Sequence, residues 1–232
     1  MFSVIRINNK FFARAICRVI VSEMPTSVFP LFAACGLSIT GQTLWNTSPD
    51  CTDACVYAVC LSGDPKRNAG LLDCAPIDEN LLRAWIAHVP TFSFDGRLRP
   101  DASEVAAFLQ GFWLPDENIL YIGKATCLRD RLGQYFGHKL GNRSPHKGGH
   151  WLKTLSNLAK LHVFFARCND ADQAEEKEAI ALDVFEGNVS EATERKLLNP
   201  QITIPFANRK NSRGALKQNR IRGDVLARRF AK

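Results

Sequence analysis

The sequence predicts an α/β fold built from short buried strands and helices. Three compact apolar runs have the length and the β-branched or aromatic content of strands. They cover residues 55–61, 118–123 and 160–167. Segments between and after them carry apolar residues at intervals of three and four, which is typical of helices. The chain has 232 residues and is 46% hydrophobic and 23% charged, as expected for a globular protein with a sizeable core.

The elements before the second strand follow from local composition. A short helix is predicted over residues 28–37, where a glycine ends it, and residues 38–54 are rich in loop-forming residues. Between the first two strands, two helices are predicted over residues 78–88 and 102–112, with a turn near residue 96.

The elements after the second strand are mostly helical. Leu128, Leu132 and Tyr135 recur at helical spacing and predict a helix directly after that strand. We expect a basic loop, three further helices and a closing extended stretch, over residues 137–149, 150–158, 172–186, 190–198 and 200–208.

The charge balance favours a polyanionic partner. The formal net charge is +7 and the isoelectric point is about 9.1, so nucleic acid is the natural candidate. Residues 209–232 form a basic tail in which Asp224 is the only acid. Such a tail has few apolar residues, and we expect it to order only on a bound phosphate backbone.

The cysteines and the hydropathy of the chain indicate where in the cell the protein works. The eight cysteines are scattered, and Cys51 and Cys55 lack the second ligand pair of a zinc site, which favours reduced thiols in a cytoplasmic protein. No run approaches the ~18 apolar residues of a membrane span. Residues 1–23 are either a targeting or basic amphipathic segment or an extension upstream of a true start at Met24, and we favour the extension.

The segment from the second strand into the following helix is the strongest functional signal. The strand ends at Gly123 and places Tyr121, Lys124 and Arg131 in one neighbourhood. A tyrosine hydroxyl, an ammonium and a guanidinium together suit a phosphate group. This pattern predicts a phosphate cradle.

These residues resemble the second half of the GIY-YIG nuclease signature, much as in the nuclease half of bacterial excision-repair enzymes. Tyr121-Ile122-Gly123 matches its second element, and Cys55-Val56-Tyr57 resembles its first, with Cys in place of Gly. The resemblance implies a small three-stranded mixed or antiparallel sheet flanked by helices. It also implies a nuclease domain over residues 51–208, interrupted by a helical insertion over 65–117 and preceded by an extension over 1–50.

The resemblance further implies a glutamate on the helix over residues 172–186 that holds one divalent metal, Mg²⁺ or Mn²⁺. Helical phase places Glu178 in the middle of an apolar stripe, where a carboxylate needs a partner. We rank Glu178 first, Glu176 second and Glu175 third.

Residue roles carried over from the family complete the predicted site. Tyr57 acts as general base or positions the water, Tyr121 orients the phosphate, Arg131 neutralises its oxygens and Glu178 holds the metal. An ordinary tyrosine has a pKa of about 10, so a basic role for Tyr57 requires a cation to lower it. The remaining predicted site residues are nucleic-acid contacts at Gly123, Lys124, His146, Arg209 and Lys210, and a structural brace at Asn208.

The resulting hypothesis is a metal-dependent endonuclease that hydrolyses phosphodiester bonds in DNA. The alternative is a nucleic-acid-binding module of the same fold that does not cleave. The DNA substrate and the oligomeric state stay open at this level.

Overall fold

The computed structural model describes residues 26–67, 72–142 and 150–224. These residues form an α/β structure of two antiparallel sheets flanked by helices. Its strands are β1 (Gly41–Leu44), β2 (Cys55–Cys60), β3 (Ser93–Phe94), β4 (Arg97–Leu98), β5 (Ile119–Ala125), β6 (His162–Arg167) and β7 (Ile221–Arg222). Its helices are α1 (Val28–Ala34), α2 (Glu79–His88), α3 (Ala102–Gln110), α4 (Leu128–Gly137), α5 (Ala171–Asn188) and α6 (Glu191–Glu194), with 3₁₀ turns at Leu152–Thr154 and Leu158–Lys160.

The larger sheet has four strands among the described residues, not the three expected. Its order is β1–β6–β2–β5, and every pairing is antiparallel. The additional strand, β1, lies in a stretch whose polar composition predicts a loop. Gly41–Leu44 is half exposed on the sheet edge, so its strand conformation comes from backbone pairing with β6 and leaves no apolar periodicity.

The two tyrosine strands pair directly although 64 positions separate Tyr57 from Tyr121. Across β2 and β5, Tyr57 lies opposite Gly123 and Val59 lies opposite Tyr121. The entropy of closing a loop rises only with the logarithm of its length, so a long intervening segment is compatible with this pairing. β2 is buried at every position, which agrees with its continuous apolar sequence.

The core has two parts, one on each face of the sheet. The first contains the two tyrosines and the apolar side of α4, together with much of the chain between β2 and β5. Trp113 and Trp151 lie in it. The second core lies between the sheet and helices α1 and α5.

The segment between β2 and β5 packs into the first core. Helix α2 begins at Asp78, whose side chain accepts hydrogen bonds from the N–H groups of Asn80 and Leu81. Helix α3 follows a β3–β4 hairpin, and β3 also pairs with β7 near the C-terminal end of the described chain.

Residues 209–224 differ from the expected mobile arm because they pack against the rest of the fold. Lys217 and Ile221 are buried, and the Trp85 indole donates a hydrogen bond to the Gly223 carbonyl at 2.8 Å. Arg220 pairs with Asp95. A few apolar and hydrogen-bonding residues therefore fix this segment despite its high charge.

The described part of the chain contains neither a clustered metal site nor a membrane-spanning helix. Across residues 26–67, 72–142 and 150–224, no group of three or more His, Cys, Asp or Glu side chains is arranged to hold a metal. Within the same ranges, no helix combines the length and apolarity that a membrane crossing requires.

Candidate active site

The centre of the candidate site is a pair of adjacent tyrosines, whose rings are tilted by 40°, beside a glycine. The Tyr57 and Tyr121 ring centroids are 5.8 Å apart, and Tyr135 from α4 packs edge-on against Tyr121 at 5.6 Å. A Cβ at Gly123 would lie 2.6 Å from the Tyr121 ring and 2.9 Å from the Tyr57 ring and hydroxyl. Glycine at position 123 therefore lets the two rings approach each other.

Replacing Gly123 with alanine should displace the tyrosines. We expect Gly123→Ala to lower the free energy of unfolding by about 1–3 kcal/mol, because an added methyl in a packed core forces neighbours off their rotamers. Denaturant unfolding of both proteins measures this effect. Gly133→Ala is the matched control, since a Cβ there meets nothing within 4 Å. As an exposed helical position it should gain about 0.5–1 kcal/mol, and equal effects at both glycines would contradict the packing argument.

Arg131 reaches the tyrosines from the first turn of α4. The N-cap residue, Cys127, makes no side-chain hydrogen bond, and the loop before β2 satisfies the first N–H groups instead. Leu128 donates to the Asp53 carbonyl at 3.2 Å and Arg129 donates to the Cys51 carbonyl at 2.9 Å. The loop that leads into Tyr57 therefore fixes the start of the helix that carries Arg131.

Burial dominates the electrostatics of the tyrosine pair. It raises the pKa of Tyr57 well above 10, with Tyr121 acting in the same direction and Arg131 opposing. Burial also raises the pKa of Tyr121 to about 12, where the Glu178 carboxylate adds to the rise and Arg131 again opposes it. Both phenols stay protonated at neutral pH. Burial thus outweighs the lowering effect of Arg131 on the Tyr57 pKa, so these side chains by themselves do not meet the condition for a basic role of Tyr57.

Asn208 closes the free edge of β5. Its Oδ1 accepts a hydrogen bond from the Ile122 N–H, and its Nδ2 donates one to the Ile122 carbonyl, each at 2.8 Å. The Ala207 N–H adds a third bond to the Leu120 carbonyl at 2.8 Å. A single side-chain amide thus replaces a neighbouring strand beside Tyr121, which protects the edge and holds it straight.

A cavity of about 330 Å³ opens at this edge, and Tyr121 reaches it. Helix α5 forms one wall, with Glu175 and Glu178, and the segment after Asn208 forms another. The lining residues from that segment are Arg209, Lys210, Asn211 and Ser212. Tyr57 is fully buried beneath Tyr121 and does not line the cavity.

The three glutamates on α5 have different surroundings. Glu178 is half buried, and burial raises its pKa while the Lys124 and Arg131 charges oppose the rise. Glu175 is exposed and pairs with Lys124 at 2.5 Å, which lowers its pKa. Glu176 is 64% exposed, lies 3.5 Å from Lys177 and does not line the cavity. Glu178 and Glu175 thus line the cavity, whereas Glu176, ranked second from the sequence, does not, and the choice of metal ligand stays a prediction.

The chemistry of this wall fits one hard divalent cation. Glu178 offers carboxylate oxygens toward a cavity that also admits water, and its ionised form lacks full solvation there. Mg²⁺ is commonly held by one or two carboxylates with water and phosphate oxygens completing the shell. A single glutamate is consistent with the absence of a multi-ligand cluster among the described residues.

The predicted nucleic-acid contacts fall into three groups. Arg209 and Lys210 line the cavity, Lys124 pairs with Glu175, and Gly123 is covered by the tyrosine rings. His146 lies outside the described residues. No role for Tyr135, Ser212 or Lys217 followed from the sequence, although the apolar spacing on α4 was a signal for Tyr135.

Comparison with known proteins gives one short similarity. No protein-family model matches the chain, and no solved structure matches it. Over 79 residues, 34% of this chain, it is 32% identical to UvrABC system protein C of Stenotrophomonas maltophilia (strain K279a). That segment is 12% of the relative's length. The chain is thus distantly similar to that protein over about a third of its own length.

Proposed function

We propose that the chain is a metal-dependent endonuclease of the GIY-YIG type that hydrolyses phosphodiester bonds in DNA. The observation that carries this proposal is the proximity of Arg131 to Tyr57, Tyr121 and Glu178, since its positive charge lowers the pKa of all three groups. The similarity to UvrABC system protein C agrees with the resemblance of residues 121–131 to the nuclease half of bacterial excision-repair enzymes.

A buried donor at this place supports a phosphate ligand. In the described part of the chain, Arg131 Nε is buried without a hydrogen-bond partner. Leaving a buried polar group unpaired costs roughly 1–3 kcal/mol, so such a group calls for a functional explanation. A non-bridging phosphate oxygen is a strong acceptor that suits this donor.

Each side chain then has a role set by its surroundings. Tyr121 reaches the cavity and would orient the phosphate through its protonated hydroxyl. Arg131 would neutralise charge that develops on the phosphate oxygens, which is where a fixed cation accelerates the reaction most. Tyr57 stays protonated in the protein alone, so we assign it to orienting the attacking water through Tyr121 and Arg131.

Glu178 would hold the Mg²⁺ or Mn²⁺ ion. When bound, such an ion supplies Lewis-acid stabilisation of phosphate oxygens and a more acidic water. The Lys124–Glu175 pair beside it keeps Glu175 from competing for the metal, because that carboxylate already has a cation at 2.5 Å.

Cleavage of DNA in the presence of Mg²⁺ tests the proposed function. Plain, branched and damaged duplexes are incubated with the full chain, with and without Mg²⁺ and with EDTA as control. We expect nicking of at least one substrate that depends on the metal. Cleavage that persists in EDTA, or cleavage of none of the substrates, would contradict the proposal.

A non-cleaving nucleic-acid-binding module is the second candidate. The observation that favours it is the complete burial of Tyr57 outside the cavity, together with Cys55 where the family has glycine. This candidate predicts salt-sensitive DNA binding with no metal-dependent nicking. The cleavage assay and a binding titration on the same substrates therefore separate the two.

The cavity-lining cations should contribute to DNA affinity. We expect the double variant Arg209→Gln/Lys210→Gln to bind duplex DNA more weakly and to reduce the slope of log K against log [salt] by about 1–2. Fluorescence anisotropy at several salt concentrations measures both quantities. The matched control is Arg83→Gln/Arg195→Gln, which removes two cations from exposed intrahelical pairs away from the cavity. An equal loss of slope in both double variants would show that only net charge matters.

A further inference from the structure

Lys217 is a charged side chain in the apolar core. It is 4% exposed, and its Nζ lies 5.8 Å from the Phe112 ring centre and 5.7 Å from that of Trp151. Burial lowers its pKa well below 10.5. None of the ion pairs in the described part of the chain involves it, so no carboxylate offsets the loss of water around its charge.

Two consecutive backbone carbonyls hold the Lys217 ammonium. It donates to the Pro205 carbonyl at 2.7 Å and to the Phe206 carbonyl at 3.0 Å. Burying a cation is costly even with such partners, and an apolar side chain of similar length would fill the same space. What these two hydrogen bonds do is hold the backbone at residues 205 and 206 in place.

That backbone leads directly into the brace on β5. Ala207 and Asn208 follow Phe206 and make the three hydrogen bonds to Leu120 and Ile122 that flank Tyr121. The orientation of the Asn208 amide therefore depends on where the chain enters from residue 206.

The same lysine also holds the other wall of the cavity. Its own N–H donates to the Arg209 carbonyl at 2.9 Å, which closes the loop over residues 209–217. Asn211 organises the interior of this loop through hydrogen bonds to the N–H groups of Arg213 and Ala215. Ser212 and Arg213 bond to Asp183 and Glu186 on α5.

We propose that Lys217 is a positioning residue of the candidate active site, acting through Asn208 on β5 and through the loop over residues 209–212. The catalytic consequence of this role rests on the proposed function. The structural part of the role is the fixed contact between Asn208 and Ile122, and it does not depend on whether the protein cleaves DNA. The segment beyond Asn208, which the family resemblance does not cover, is then part of the site.

The test compares Lys217→Met with wild type in the full chain. Hydrogen exchange followed by NMR should show the Ile122 amide exchanging at least about tenfold faster in the variant, while amides in the middle of β2 keep their protection. In cleavage, we expect kcat to fall about tenfold or more with KM for DNA little changed, because misplacing a catalytic group costs rate rather than binding.

Ile221→Ala is the matched control, since it removes buried packing from the same segment at a position whose backbone pairs with β3. If it accelerates Ile122 exchange as much as Lys217→Met does, Lys217 acts only through stability and the proposal is wrong. Should the methionine variant not fold, Lys217→Gln keeps one donor and enters the same comparison. If wild type cleaves no DNA, the proposed function fails, and the exchange data still decide the role of Lys217.

Discussion

Arg131→Ala should lower the rate of Mg²⁺-dependent DNA cleavage by at least about a hundredfold, because it removes a fixed donor aimed at developing negative charge. Arg131 is the cation whose charge acts on both tyrosines and on Glu178. Among the residues that the structure describes, Lys124 lowers the pKa of Glu178 but does not act on either tyrosine. Single-turnover nicking with excess protein measures the chemical step directly.

Arg129→Ala is the control for this experiment. Arg129 lies two residues earlier on the same helix, its side chain is 51% exposed, and that side chain pairs with Asp130 at 3.8 Å. Both variants lose one positive charge, but only Arg131 contacts the tyrosine region. We expect the Arg129 variant to stay within about twofold of wild type, as for other surface ion pairs. A rate loss shared by both variants would point to a general charge effect.

Arg131→Lys separates charge from geometry. A lysine keeps the positive charge but lacks the planar fork that donates to two oxygens at once. We expect cleavage between that of wild type and that of the alanine variant. Full activity in the lysine variant would mean that the positive charge at position 131 is sufficient and that the geometry of its hydrogen bonds does not matter.

The parts of the fold that sequence could predict are those whose burial follows a simple period. The strands β2, β5 and β6 are continuous apolar runs, and the pairing of the two tyrosine strands follows from the family resemblance. Strand β1 was not predicted, because its stability comes from backbone pairing with β6 at the sheet edge. Such pairing does not produce a recognisable pattern of side chains. Such non-local hydrogen bonding is invisible to local composition.

The same distinction applies to the candidate site. The position of Glu178 follows from helical phase, a local property, and the structure places it on the cavity wall. The environment of Tyr57 depends on packing from three separate segments, and full burial reverses the pKa shift that a neighbouring cation alone would give. The ordered course of residues 209–224 depends on one buried lysine and one indole hydrogen bond, which a composition dominated by charge conceals.

Glu178→Gln should abolish metal-dependent cleavage while preserving or raising stability. Burial raises the pKa of Glu178, so the folded state disfavours its ionised form. A neutral amide of the same shape removes that penalty at neutral pH, where the ordinary carboxylate would be charged in the unfolded chain. The expected result is a melting temperature equal to or above that of wild type, with a rate loss of at least about a hundredfold.

Glu176→Gln supplies the matched comparison on the same helix. Glu176 is 64% exposed and outside the cavity, so its replacement changes net charge equally without altering a candidate ligand. Calorimetric titration with Mg²⁺ and Mn²⁺, together with nicking rates across metal concentration, should show loss of binding only for Glu178→Gln. If the Glu178 variant binds metal and cleaves DNA like wild type, the ligand lies elsewhere. A loss confined to Glu176→Gln would place the metal on the outer face of α5. Stability and activity moving in opposite directions at Glu178 is the result that a purely structural carboxylate would not give.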